Sequence, residues 1–352
     1  MDHRPVTRRL ALIAPLIGLF VGLFIGGLSC TFSLAEPVDA IVPPAEPPVV
    51  LATAQADPWA IALDGTTVYW TNDGMPDPTD GSVAKALKDK SRTPVTVARM
   101  QGDPGSIAVD DLYIYWTARI DGTVVRLPKA GANSLELIAT NQSYPLGLVV
   151  DNDAVYWTDT DRGRILKRAK NDPSAAAQIL TAGTTHPWLM AQDETNLYWT
   201  LRAGQSVMRV AKDGTSLPVV VAPALGDGWG IAVDDAFVYW RDSGTDGMGR
   251  VMRAAKNGVG TAPQQLAATT GEGPRFLALD QTSVYWTSGP NDSGMIVSAP
   301  KDGSGHPTTL AINQAGPRGL AVDDLYVYWT NFSGATVMRL TKPMPQTMAL
   351  RR

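Results

Sequence analysis

Ser106-Ile107-Ala108-Val109-Asp110-Asp111-Leu112-Tyr113-Ile114-Tyr115-Trp116-Thr117 decides the fold. An apolar run ends at an Asp, an Asp-rich turn follows, and a run dense in aromatic residues ends on Tyr-Trp. The same order recurs at Tyr69-Trp70, Tyr156-Trp157, Tyr198-Trp199, Tyr239-Trp240, Tyr285-Trp286 and Tyr328-Trp329. In all seven copies the Trp stands six residues after an Asp: Asp64, Asp110, Asp151, Asp193, Asp234, Asp280 and Asp323. Successive Trp residues are 46, 41, 42, 41, 46 and 43 positions apart. A period of about 40–45 residues built from strand-sized pieces is the mark of a β-propeller, one blade per repeat.

Each repeat divides into four strand-sized pieces. The apolar run is the first, and the Asx- and Gly-rich turn after it bends through side chains that bond their own backbone. The Tyr-Trp run is the second, suited to a half-buried pleated surface. The third alternates, as in Val124-Val125-Arg126-Leu127-Pro128-Lys129, with a Val or Ile five residues before a Lys in every copy: Lys88, Lys129, Lys170, Lys212, Lys256, Lys301 and Lys342. Lys212-Asp213-Gly214 and Lys256-Asn257-Gly258 then read as tight hairpins into a short fourth strand.

The last repeat stops after its third strand, at Lys342-Pro343, and the missing strand appears before the first repeat as Val49-Val50-Leu51-Ala52-Thr53. Completing the last blade with residues 49–53 closes the ring and removes a raw sheet edge. The expected fold is therefore all-β, a seven-bladed propeller of four-stranded antiparallel blades over residues 49–343. Six blades with an appended sheet is the alternative. No stretch after Cys30 keeps a helical period, so long helices are not expected.

Residues 1–29 read as an export signal, with Arg4, Arg8 and Arg9 before an apolar run that ends in Gly26-Gly27-Leu28-Ser29. Cys30, the single cysteine, then takes the place of the lipid-bearing residue of a bacterial lipoprotein. A cut after Ser33-Leu34-Ala35, releasing a secreted protein, and retention as a signal anchor are the other readings. All three place the propeller outside the cytoplasm. Residues 30–48 form a Pro-rich tether and 344–352 a C-terminal tail. Removing the three Arg and one Asp of the signal leaves 27 Lys and Arg against 33 Asp and Glu, net −6. That balance argues against nucleic acid as a partner, which needs a concentrated basic surface.

Tyr156-Trp157-Thr158-Asp159 is a complete YWTD sequence. Over about 295 residues the chain resembles the YWTD propellers of low-density-lipoprotein-receptor type and their bacterial relatives. The resemblance implies that the motif lies on the second strand of each blade and serves packing between blades. It implies six blades, whereas seven repeats are present, and the final Asp stands only at Asp159 and Asp242. It also implies a protein-binding role. The overall plan is similar, too, to the seven-bladed streptogramin lyases.

Trp70, Trp116, Trp157, Trp199, Trp240, Trp286 and Trp329 sit at one fixed place per blade and are read as structural. The seven Asp and seven Lys share one rim, where turn capping and mutual pairing account for them. Function is sought where the repeats differ, on the opposite rim. The links into the first strands carry Trp59, Tyr144, His186, Trp188, Trp229, Arg275 and Arg318. The loops between strands two and three add Arg119, Arg202 and Arg241. Flat aromatics stack on sugars or apolar side chains, and arginines grip carboxylates, so these residues form a candidate ligand-binding surface around the channel mouth. The alternative is that they plug the channel. Asp73, Asp77 and Asp80, and Asp242 and Asp246, lie in oxygen-rich loops without the spacing of a calcium site and are read as solvated turns.

The chain holds no HExxH, phosphate loop or Ser-His-Asp set, and beyond the signal its histidines are His186 and His306, expected on opposite rims. No cofactor or metal is expected. The function expected is a non-enzymatic cell-envelope binding module that presents a propeller rim to a protein, peptide or glycan. A scaffold subunit and a streptogramin-lyase-like or lactonase-like enzyme, with His186 as lone base, are the alternatives.

Overall fold

Every Tyr-Trp pair lies on the second strand of a four-stranded antiparallel sheet in the computed structural model. The structure describes residues 46–343 except 75, 132–133, 173, 203–205, 224–225, 245–248, 259–261 and 270–274. The signal sequence, Cys30 and the tail at 344–352 lie outside the described residues. Seven such sheets form a ring, the seven-bladed propeller expected from the repeat. Blade 2 is typical, with strands Pro104–Val109, Tyr113–Ala118, Thr123–Pro128 and Glu136–Ala139. Blades are numbered here by their Tyr-Trp pair, from Trp70 in blade 1 to Trp329 in blade 7. Among the described residues the one helical piece is a 3₁₀ turn, Pro78–Asp80, and no helix is long and apolar enough to cross a membrane.

Adjacent residues of a strand point to opposite faces, so Tyr and Trp serve different neighbours. The hydrophobic clusters show the division. Tyr69 of blade 1 shares a core with Trp116 of blade 2, Tyr115 with Trp157 of blade 3, and Tyr328 of blade 7 with Trp70 of blade 1. Each seam between blades therefore has its own core, filled by the Tyr of one blade and the Trp of the next. All seven Trp are at most 1% exposed.

The repeated Asp and Lys close the seams at one rim. Asp64 Oδ1 accepts the amides of Thr66 and Thr67, capping the turn, while Oδ2 accepts the Tyr69 hydroxyl at 2.7 Å and Lys129 Nζ of blade 2 at 2.7 Å. The arrangement repeats seven times, each Lys pairing with the Asp of the preceding blade over 2.5–2.9 Å. Lys88 of blade 1 meets Asp323 of blade 7, so the ring of ion pairs is closed. A second stitch runs beside it. Arg126, Lys167, Arg209, Arg253 and Arg339 donate to the backbone carbonyl of the next blade's Lys.

A third stitch holds the channel side. Thr71, Thr117, Thr158, Thr200, Thr287 and Thr330 each donate Oγ1 to a carbonyl on or beside the innermost strand of the next blade, at 2.9–3.1 Å. Arg241 occupies this place in blade 5. The innermost strand of blade 6, which follows it, is just Leu277–Leu279, against six residues in the other blades.

Ring closure follows the expected route. Val49–Ala52 pairs antiparallel with Thr336–Thr341, and Leu51 and Ala52 enter the core shared by blades 7 and 1. The strand ends at Ala52 because Ala54 turns back with φ of 55°.

Candidate functional site

On the other rim, the residue before each innermost strand takes a left-handed backbone at Asp57, Asp103, Tyr144, His186 and Gly316. Its carbonyl accepts an amide from the loop after strand two, from Asp73, Arg119, Thr160, Arg202 and Phe332 respectively. Five repetitions make this turn a property of the fold, although single strained residues often mark function. Its effect is to set two columns of side chains face to face around the channel.

Around that mouth the structure gathers an aromatic plug. Trp59 packs edge-on to Phe276 and Phe332, with centroids 5.9 and 6.2 Å apart. Tyr144 stacks on Trp188 at 6.2 Å, and Trp188 meets Trp229 edge-on at 5.7 Å. Trp59 and Trp188 are 7% and 5% exposed, whereas Tyr144 and Trp229 remain half-exposed. Phe276 and Trp229 pack against both halves and join them.

Arginines lie on these rings. Arg202 is exposed, with its guanidinium carbon 4.6 Å from the Trp188 ring and 5.7 Å from that of Trp229. Arg241 stands 5.7 Å from the Trp229 ring as well. Arg318 rests 4.5 Å from Trp59 and 3.9 Å from Phe332. Arg119 is buried 4.9 Å from Trp59 and pairs with Asp73 at 3.0 Å and with Asp103, while its Nη1 approaches the Tyr144 hydroxyl at 3.5 Å. Arg275 is half-buried beside Arg318.

Of the ten rim residues singled out in the sequence, nine join this cluster. His186 does not. It is exposed, and the contact it makes is a carbonyl accepting the Arg202 amide. His306 is exposed in the Lys301–Pro307 turn of the opposite rim, as expected. The loop around Asp73 divides: Asp77 caps the 3₁₀ turn, whereas Asp73 is buried against Arg119. Among the described residues no three His, Cys, Asp or Glu converge as metal ligands. Phe332, Phe276 and the acidic trio Asp57, Asp73 and Asp103 were missed as site residues. The column three places after the Trp, which holds Asp73 and Phe332 beside Arg119 and Arg202, would have shown two of the five.

Charge at the two rims behaves in opposite ways. Burial tends to raise Asp64, but hydrogen bonds from Lys129, Tyr69 and two amides outweigh it and hold the carboxyl at about 2. Asp280 is held at about 2 in the same way, and the other five latch carboxyls are also lowered. Asp73 is pushed up to about 7 by burial, with Asp103 adding to the rise against the pull of Arg119 and Arg318. A lowered carboxyl stabilises the fold above its unfolded value of about 3.9 and loses that contribution as pH falls through the folded value. A raised carboxyl does the reverse, and Asp73 loses its contribution as pH rises towards 7. Stability is thus expected to peak near pH 4–6, falling steeply towards pH 2 and gently towards pH 7. Thermal melts across pH 2–8 check this. Asp73→Asn should flatten the limb above pH 4 and leave the acid limb unchanged; an unchanged upper limb would show that Asp73 does not titrate there.

No family model matches the sequence, and no curated protein matches it. Solved structures do. Virginiamycin B lyase from Staphylococcus aureus superposes with a TM-score of 0.69 at 12% identity, covering 84% of this chain and 99% of that one. A catalytically inactive histidine-to-alanine variant of the same lyase with quinupristin gives 0.69 at 13%, with the same coverage. The nidogen/laminin complex matches with a TM-score of 0.51 at 19% identity, over 66% of this chain and 91% of that one. At such identities the likeness shows a shared fold, and the chain is a seven-bladed β-propeller similar in architecture to these proteins.

Proposed function

We propose that the protein is a non-enzymatic binding module that meets its ligand, a protein, peptide or glycan, on the outer face of the plugged channel. The observation that carries this reading is the layer of arginines on the plug. Arg202, Arg241 and Arg318 lie against Trp229, Trp188, Trp59 and Phe332. A guanidinium resting on aromatic rings loses little further freedom on binding. Buried Trp59 and Trp188 favour a ligand that lies across the mouth over one engulfed by it. Kinship with the YWTD-type propellers belongs to the same reading, supported by the complete motif at Tyr156–Asp159 and the nidogen/laminin likeness. So does display outside the cytoplasm, through a lipid on Cys30 or another of the N-terminal routes.

Photo-cross-linking groups placed at Arg202, at Tyr144 and, on the opposite rim, at Asp235 test the proposal in the native envelope fraction. The same adduct from Arg202 and Tyr144, with none from Asp235, is expected. Adducts from Asp235 alone would favour the scaffold reading. The enzymatic reading draws on the lyase likeness and on His186 at the mouth. Conversion of quinupristin, abolished by His186→Ala, would replace the proposal with it.

A further inference from the structure

Arg318 and Arg119 share the mouth but differ in how they are satisfied. Arg119 is committed to Asp73 and Asp103. Among the described residues the Arg318 guanidinium makes no hydrogen bond or ion pair, although its carbon lies 4.5 Å from the Trp59 ring and 3.9 Å from that of Phe332 and its Nε is shielded from solvent. The indole N–H of Trp59, in the ring that Arg318 covers, is also buried without an acceptor. Arg275 adds a second cation alongside, and Asp57 and Asp73 act on Arg318 through space alone. A cation partly sheltered from water without a bonded counter-charge is destabilising, and a docked anion would relieve that cost. The planar fork of a guanidinium fits two coplanar oxygens. The nearby carboxylates leave little positive excess, which disfavours a dianion such as phosphate.

We propose that Arg318 is the seat for a carboxylate of the ligand, with Trp59 Nε1 as an additional donor beside it. The inference rests on the mouth being a binding surface. A mouth ligand that binds without regard to Arg318 would sink the carboxylate seat and leave that surface standing.

N-acetylphenylalanine, its amide and inorganic phosphate are the probes, titrated into the propeller while the ¹⁵N–¹H signals of arginine Nε are followed. The acid should shift the Arg318 signal saturably, and the amide should bind at least about tenfold more weakly. Arg318→Gln should abolish acid binding and Arg318→Lys should retain part of it, since a lysine keeps the charge but loses the fork. Melting curves and the other arginine signals show whether either variant disturbs the fold. Equal binding of acid and amide, unchanged acid binding in Arg318→Gln, tighter binding of phosphate, or no response to the acid each overturn the proposal.

Discussion

A chain beginning at Ala54 is expected to melt about 10 °C or more below one beginning at Glu46, and over a broader range. The shortened chain leaves blade 7 with three strands. Thr336–Thr341 loses the partners of Arg339, Met338 and Val337, and the core between blades 7 and 1 loses Leu51 and Ala52. Burying a Leu is worth about 2 kcal/mol and each strand hydrogen bond about 1, so the total loss is on the order of 5 kcal/mol. The seam is then left to Lys88–Asp323, Arg339–Lys88, Thr330–Trp59 and the remainder of the Tyr328–Trp70 core. A synthetic peptide of residues 46–56 added in trans should restore much of the lost stability by rebuilding the edge. Equal melting of the two chains would show that strand closure does not hold the ring.

The second large effect concerns the Trp column. Trp157→Ala should cost about 3–5 kcal/mol, because a fully buried indole leaves a cavity in the seam between blades 2 and 3. Replacement by Phe separates the volume from the polar tip. Trp157 Nε1 donates to Gln142 at 2.9 Å, as Trp70, Trp116 and Trp329 do to Gln55, Gln101 and Gln314. Trp199 Nε1 is buried without a partner. Trp157→Phe strands Gln142 and should cost about 1–3 kcal/mol more than Trp199→Phe, which removes an unsatisfied donor. Denaturant midpoints of the two variants decide it, and equal losses would mean that the Gln bond contributes nothing net.

Much of this was legible because a propeller writes its rules seven times. The Trp period, the Asp–Tyr spacing, the Lys column and the displaced strand at residues 49–53 all follow from one chain reading. The partner of each Lys was not legible. Lys129 sits 65 residues from Asp64 and reaches it because neighbouring blades are rotated past one another, a relation that strand patterns do not encode. Radial depth was hidden as well. Trp59, Trp188 and Arg202 look equivalent as variable rim residues, yet two are buried and one is exposed, which depends on how close the seven inner strands come. Blade 6 is shorter on its inner edge than its repeat implies, opposite the one place where Arg241 stands for Thr.

Because Tyr and Trp of one dipeptide feed two different cores, no blade owns its own stability. Linear solenoids need special terminal units to cover their ends. Here the Lys88–Asp323 pair and the strand at Val49–Ala52 turn the array into a lattice with periodic boundaries. Where the backbone is cut then matters less than that the circle stays whole. New termini placed in an exposed hairpin such as Asp213–Gly214, with the present ends joined, should give a circular permutant that keeps the same seams in the same order.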